Sequence, residues 1–383
     1  MGGDGGGQRL QDILASSIPS SHPHRYRVHY LLSPPTKHPS LYTCASTSTP
    51  KSPSKSAKVS TGGTTCQHHL LLISYSQKFI YGLEILIYRS PQSTPIIYVS
   101  KADTTGYAPS SITRAITTAF LQYLLRRTGG GTIQLFARSQ PQYIFPASAT
   151  NGKKRILDDT QLIKWWLRVL SPLNGLGRVY IPGVDKYKIR SYYPESGQWE
   201  NAAPGVSGDG KVEGVLARDV IPVFPDDPKA RFLDDLKTDG QLATTTLSQF
   251  WELMEHRQEC SSGRLVGFIS LCVAKHLAVE GGEEDADGVV VDEKTFKRAY
   301  EMLLNGEYSS EEVASAATTR WIESLLAIVS KEGKEKWGFD LIPAGKEHSV
   351  ENGVDMGKKR GAVEEVKPVN MLGGGLVRKK PKT

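Results

Sequence analysis

Hydrophobic positions in the first third of the chain come in short runs of β-branched, aromatic and aliphatic residues. The runs at 26–32, 69–75, 79–88 and 95–103 are bounded by polar turn residues, which predicts strands. The period then changes. Ile112, Ala115, Ile116, Ala119, Phe120, Tyr123 and Leu124 recur at helical spacing. Ser110 or Ser111 is the expected cap of this helix, and the glycines at 129–131 its end. A strand at 132–137 follows. A second helix at 158–170 opens on an aspartate and buries Leu162, Ile163, Trp166, Val169 and Leu170. Shorter signals predict a helix at 9–16, a strand at 215–224, and helices at 242–258, 264–279, 293–304 and 310–331. The whole reads as one α/β domain over 1–343, with a central mixed sheet flanked by helices.

Composition adds the connections. Residues 34–63 are rich in Pro, Ser, Thr and Lys and read as a flexible insertion. Residues 194–214 form a Gly/Pro-rich excursion and 281–288 an acidic loop. From 344 to 383 the chain is Gly-, Lys- and Glu-rich with no aromatic residue, which predicts a disordered basic tail. Its GKKRG and VRKKPK clusters fit nuclear import, nucleic-acid contact or simple solubility. No apolar run reaches 18 residues, so no membrane span is expected. The opening MGGDGGGQRL lacks a basic-then-apolar leader, so no secretory signal is expected. Cys44, Cys66, Cys260 and Cys272 show no CxxC spacing and read as reduced thiols of an intracellular protein. The formal charge of +7 suggests an anionic partner.

Neither a Walker loop, GxGxxG, HExxH nor GxSxG occurs, which weighs against an NTPase, a Rossmann dehydrogenase, a zincin and an α/β-hydrolase. Several clusters remain. In SKADTTGY, Asp103 stands at a strand end before a helix, as a functional carboxylate or as an Asx-turn. Backbone amides from Ser111 to Ala115, with Arg114 beside them, offer an anion cradle at a helix start. FARSQPQYIFP follows a strand, and KKR (Lys153, Lys154, Arg155) offers phosphate contacts or a solvated turn. Trp165 and Trp166 point about 100° apart on a helix, so one fills the core while the other faces a cleft, or both are core. Finally, FPDDPKARFLDDL crowds Asp226, Asp227 and Lys229 onto a proline-stiffened bend, either a solvated turn or the floor of a reaction site.

SKADTTGY, LFARSQPQYIFP, LIKWW and FPDDPKARFLDDL, in this order, together with HYLLSPPTK and FIYGLEILIY, resemble the fungal histone H3 acetyltransferases that work with histone chaperones. The resemblance spans roughly 10–343. It implies a fold similar to the CBP-type acetyltransferases, with acetyl-CoA as cosubstrate in a cleft and no metal. It implies a nuclear enzyme that acetylates newly made H3 (as H3–H4) on a core αN-helix lysine and on tail lysines. That activity serves replication-coupled nucleosome assembly and genome stability, with histone chaperones as partners and no membrane. Carried over position by position, Ala102, Asp103, Thr104, Ser111, Ile112, Thr113, Arg114, Ala115, Phe136, Gln140, Arg155, Ile156, Leu157 and Trp165 match cofactor contacts. Asp103 also matches a carboxylate needed for activity. Trp166 and Tyr143 match active-site wall residues, Asp226 and Asp227 the acidic pair near the acceptor, and Lys229 an autoacetylated lysine.

Chemistry gives such a bend a purpose. A lysine amine, with an ordinary pKa of about 10.4, must lose a proton before attacking a thioester. A carboxylate within reach holds the ammonium and takes its proton, directly or through water. Adjacent carboxylates repel, which makes one the better base, and a free Lys229 ammonium opposes this until acetylation neutralises it. Asp103, Asp227 and a water all remain open as the base. The competing reading is a non-catalytic chromatin or nucleic-acid binding module. It calls for aromatic and basic residues interleaved on one strand face, whereas these strands are mainly apolar.

Overall fold

The computed structural model describes residues 9–43, 63–91, 93–206, 213–257, 263–274, 287–329, 333 and 337–342. All belong to one compact unit. The 344–383 tail, Cys44, Cys260, most of the acidic loop and most of the 34–63 insertion lie outside the described residues.

Eleven strands form one mixed sheet: β1 (Tyr26–Leu32), β2 (Thr36–Lys37), β3 (Thr65–Tyr75), β4 (Lys78–Arg89), β5 (Ile96–Thr104), β6 (Gly131–Ala137), β7 (Leu176–Tyr180), β8 (Gln198–Asn201), β9 (Gly267–Val273), β10 (Val289–Val290) and β11 (Phe339–Leu341). The order is β10-β1-β3-β4-β5-β6-β9-β7-β8, with β11 on β1 and β2 on β3. β3 and β4 are buried along almost their whole length, as strands covered on both faces must be. Among the long central strands, β5 and β6 run parallel and are joined by α2 (Thr113–Thr128). Their carboxyl ends therefore open on the same side, the position where open α/β sheets bind ligands.

The helices follow their sequence signals where caps are strong. α1 is Leu10–Ser17. α2 ends where Gly129 turns left-handed, its N–H reaching the Arg126 carbonyl while Gly130 N reaches that of Leu125 at 2.8 Å. α3 (Asp159–Leu170) starts from a capping box between Asp158 and Gln161. α8 (Glu293–Leu304) and α9 (Glu311–Ile328) open on Asp292 and Ser310 caps.

Several expectations need correction. Neither Ser110 nor Ser111 caps α2, because the N-cap is Ile112 and no side chain bonds there. Ser110 instead meets His22 and Tyr26. Residues 215–224 form no strand but the short helix α5 (Ala217–Val220), a second such piece after α4 (Lys186–Ile189). The helix expected at 264–279 is the seven-residue strand β9, largely apolar and set between β6 and β7. A run that short carries no usable period. The helix expected from 242 begins at Leu247, where Thr246 and Gln249 make a capping box for α7 (Leu247–Glu255). The bend at Asp226–Asp227 is the start of helix α6 (Pro228–Thr238), which was not expected. Helices α5 to α7 pack Phe232, Leu236, Phe250 and Trp251 against Phe268 of β9 as a second core cluster. Of the described cysteines, Cys66 is a buried free thiol pushed up to about 11 by burial, and Cys272 is exposed and free. No described helix is long and apolar enough to cross a membrane.

Candidate active site

At the carboxyl ends of β5 and β6 lies a cleft of about 430 Å³, within the usual range for small-molecule sites. Of the residues singled out in the sequence, it gathers Ala102, Asp103, Thr104, Ser111, Thr113, Phe136, Gln140, Tyr143, Arg155, Ile156, Leu157, Trp165 and Trp166. Ile112 is buried in the main core, while Arg114 and Ala115 line a separate groove. Asp226, Asp227 and Lys229 do not line the cleft but reach it through intermediaries.

Asp103 organises the loops around the cleft. One of its oxygens accepts from the backbone N–H groups of Tyr143, Ile144 and Phe145 at 2.7, 2.9 and 3.1 Å. The other accepts from Thr104 N and from Lys154 Nζ, both at 2.8 Å. Asp103 and Lys154 side chains are each only 4% exposed. Lys154 also donates to Ser148 Oγ at 2.8 Å. Its ammonium is thus spent inside the fold, and of the KKR run only Lys153 and Arg155 face solvent. Lys153 pairs with Glu311 at 3.3 Å. The 151–157 loop can lie this close because Gly106 has φ +87° and no side chain, where a Cβ would meet the Lys154 backbone at 2.7 Å. Asn151 Nδ2 donates to the Thr105 carbonyl at 2.8 Å and closes the same contact.

The opposite wall comes from β6 and α3. Trp166 is buried and Trp165 half-buried, edge to face with ring centroids 4.8 Å apart. Both indoles line the cleft, Trp166 as part of the core and Trp165 packed against it. Ile156 is 45% exposed at the rim, an apolar surface left to a ligand. The Tyr143 hydroxyl donates to the Arg138 carbonyl, and burial holds it well above the ordinary phenol range. Arg264 braces the 138–140 loop, donating to the Ser139 carbonyl at 2.6 Å and to Asp159 at 2.8 and 2.9 Å. Burial pushes the Asp159 carboxyl up, but the Arg264 hydrogen bonds and two backbone N–H groups outweigh it and hold it below the usual range.

The DDPK segment divides its two carboxylates. Asp226 sits at φ +57°, a backbone region costly for a side chain other than glycine. Its carboxylate is 75% exposed and accepts from Lys101 Nζ at 2.9 Å. Asp227 is fully buried. It caps α6 by accepting from Lys229 N at 2.9 Å, and it also takes the Lys229 ammonium. That ammonium lies 4.8 Å from the Phe268 ring centroid and 5.9 Å from that of Phe224. Phe268 meets Phe136 of the cleft wall at 5.0 Å between centroids.

Sequence reasoning missed the charges between cleft and DDPK. Lys101 lines the cleft and also pairs with Glu84 at 3.5 Å. Glu84 is buried, taking hydrogen bonds from Ser100 Oγ at 2.7 Å and from the Tyr300 hydroxyl at 2.9 Å. Here the β4/β5 register shifts, so that Ser100 and Lys101 both reach Glu84, as bulges beside functional sites often arrange. Burial lowers the Lys101 pKa, but Glu84 and Asp226 more than compensate and keep it charged. A glutamate inside an apolar strand (FIYGLEILIY) was the available signal. Among the described residues no His/Cys/Asp/Glu group is placed to hold a metal ion.

With this geometry in hand, comparison with known proteins is specific. The pattern of the histone acetyltransferase KAT11-type domain matches residues 10–130 and 128–324. The chain is 32% identical over 330 residues to histone acetyltransferase rtt109 of Aspergillus flavus, covering 69% of this chain and 56% of that protein. It is 30% identical over 291 residues to histone acetyltransferase rtt109 of Schizosaccharomyces pombe, covering 68% of this chain and 75% of that one. The matched part thus spans little more than half of the A. flavus relative. The crystal structure of Rtt109 from Aspergillus fumigatus superposes with a TM-score of 0.71 at 27% identity, over 87% of this chain and 98% of that one. The sheet, the cleft at its parallel pair and the motifs around it thus come from one lineage: the chain belongs to the histone acetyltransferase KAT11-type domain family.

Proposed function

We propose that this chain is an acetyl-CoA-dependent lysine acetyltransferase. Its substrate is newly made histone H3, on the core αN-helix lysine and on tail lysines. It works in the nucleus with histone chaperones, in replication-coupled nucleosome assembly. The observation that carries the reading is the convergence of SKADTTGY, LFARSQPQYIFP, the KKR run and LIKWW on one cleft at the β5/β6 carboxyl ends. The Rtt109 relatives named as histone acetyltransferases support the same activity and substrate class.

The lining fits the cosubstrate. Exposed Arg155 and Lys153 at the rim suit phosphates, and Ile156, Leu157, Leu162 and Trp165 suit an apolar arm. Acetyl-CoA supplies a thioester carbonyl activated toward an amine. The chain must orient that group, exclude water and remove a proton from the acceptor lysine. Asp103 is ill suited to the last task, since five donors already occupy its oxygens. Asp226 is exposed and already bonds one lysine, Lys101, so it can hold an incoming ammonium in the same way. Asp227 becomes available only when Lys229 lets go. Acetylation of Lys229 by the enzyme itself removes that charge and leaves a neutral amide on the faces of Phe224 and Phe268.

Steady-state acetylation of H3 in the presence of a histone chaperone, with intact-mass detection of the enzyme, tests this. Asp227→Asn should lower turnover about 10²–10⁴-fold. Lys229→Gln should retain more activity than Lys229→Arg. Full turnover in Asp227→Asn, with no acetyl group found on Lys229, would remove this segment from the chemistry.

A further inference from the structure

A second and larger concavity of about 980 Å³ lies outside the cleft. Its floor is helix α2, whose Arg114, Thr118, Gln122 and Arg126 follow one another at every fourth residue and line it together. α1 forms one wall, and Arg168 with the 193–196 loop forms the other. Arg114, Gln122, Arg126 and Arg168 are all exposed, and Glu195 is the one acidic residue among the described residues of the lining. We propose that this groove docks an acidic segment of a partner protein, bound in extended form along α2.

The spacing of the lining favours an extended chain. The stripe repeats about every 6 Å, and alternate side chains of an extended peptide repeat about every 6.6 Å. Acidic residues of such a peptide therefore fall opposite Arg114 and, two steps further along the stripe, Gln122. Guanidinium groups hold carboxylates in two-pronged hydrogen bonds, and Arg168 supplies a further one from the facing wall. Glu195 repels acids on that side and so turns the acidic edge toward α2. Single-stranded nucleic acid is disfavoured, because it binds over successive aromatic platforms and among the described residues this groove offers Tyr193 alone. The groove begins where the cleft ends, since Ser111 and Thr113 line one and Arg114 the other. A segment seated here holds its partner beside the mouth of the cleft. None of this depends on the acetyl-transfer reading.

The test is fluorescence anisotropy of a labelled ten-residue peptide with Glu and Ser alternating, titrated with the full chain. Its Lys/Ser counterpart is the control. The Glu peptide should bind better than the Lys peptide, and progressively more weakly as salt rises. Gln122→Glu combined with Arg168→Glu should weaken it about tenfold or more. Hydrogen exchange along 114–126 should slow when the peptide is added. The proposal fails if both peptides bind alike or if the double variant, with its melting curve unchanged, binds as before. It also fails if acetyl-CoA displaces the peptide, which would assign the groove to the cosubstrate. Preferential binding of an oligonucleotide, lost in the same variant, would overturn it in favour of nucleic acid.

Discussion

Asp103→Asn separates anchoring from chemistry at the cleft. The carboxylate collects three backbone N–H groups on one oxygen, and a backbone N–H with an ammonium on the other. An amide replaces one oxygen by an NH₂ group that cannot accept. Either orientation then faces donors with a donor, leaving the 143–145 turn or the Lys154 ammonium unpaired. Each buried N–H without an acceptor costs about 1–3 kcal/mol, and breaking a buried ion pair from one side costs about 3–5 kcal/mol. A total loss of about 3–5 kcal/mol is a large share of the roughly 5–15 kcal/mol that holds a folded domain. Urea unfolding should show it as a lower midpoint at constant slope. Lys154→Met should cost less, because the four N–H groups still hold the carboxylate. Activity of Asp103→Asn should fall with the loss of the ordered turn, and the pH dependence of the residual turnover should be unchanged. The reasoning is refuted if Asp103→Asn unfolds at the parent midpoint yet loses about 10²-fold or more in turnover along with the acid limb of the profile. Asp103 would then be a reacting group.

Two more expectations follow from particular side chains. Arg155→Glu, at the exposed rim, should raise the acetyl-CoA KM with a smaller effect on kcat, and an unchanged KM removes Arg155 from the site. Burial, aided by neighbouring cations, depresses His29 and His69 from the ordinary 6.5 to about 3. Their unfolded forms bind protons first, so this share of stability is complete above pH 6.5 and is lost as pH falls toward 3. Each contributes a slope of up to about 1.4 kcal/mol per pH unit in that window. Urea unfolding at pH 7.5, 6.5 and 5.5 should show the slope, and His29→Gln with His69→Gln should flatten it.

The sequence was legible where an element is long or ends on a strong cap. β3 to β5, α2, α3, α8 and α9 are of this kind, and their period or capping residues act locally. β9 was misread because a short, largely apolar run fits a buried strand and a helix equally well. α6 was missed although its signal was present: Asp227 at the N-cap and Pro228 in the first turn form a common helix opening. The cleft-lining residues were legible through the motifs. Lys154 as an internal cation was not, because its partner Asp103 lies 51 positions away in the chain. Nothing local distinguishes a lysine that will meet a distant carboxylate from one that will meet water. The same holds for Glu84, whose Tyr300 partner is 216 positions away.

The crowding of charge in DDPK resolves into two ion pairs pulling in opposite directions. Expecting the two aspartates to act on each other treats them as one acidic patch. In the fold, Asp226 is turned outward by its left-handed backbone to meet Lys101, and Asp227 is turned inward to start α6 and meet Lys229. Each carboxylate has its own cation, so the segment as folded carries no unbalanced charge. The two cations are not alike. Lys101 is also held by Glu84, which Tyr300 and Ser100 hold in turn, so its charge is fixed from behind. Among the described residues Lys229 pairs with Asp227 alone, and its ammonium lies over two aromatic faces. A neutralised Lys229 side chain can keep those ring contacts while giving up its ion pair, whereas a neutralised Lys101 would leave Glu84 buried with one cation fewer. Of the two lysines in the DDPK network, the chain can therefore dispense with the charge on Lys229 at lower cost, which is what the proposed autoacetylation of Lys229 requires.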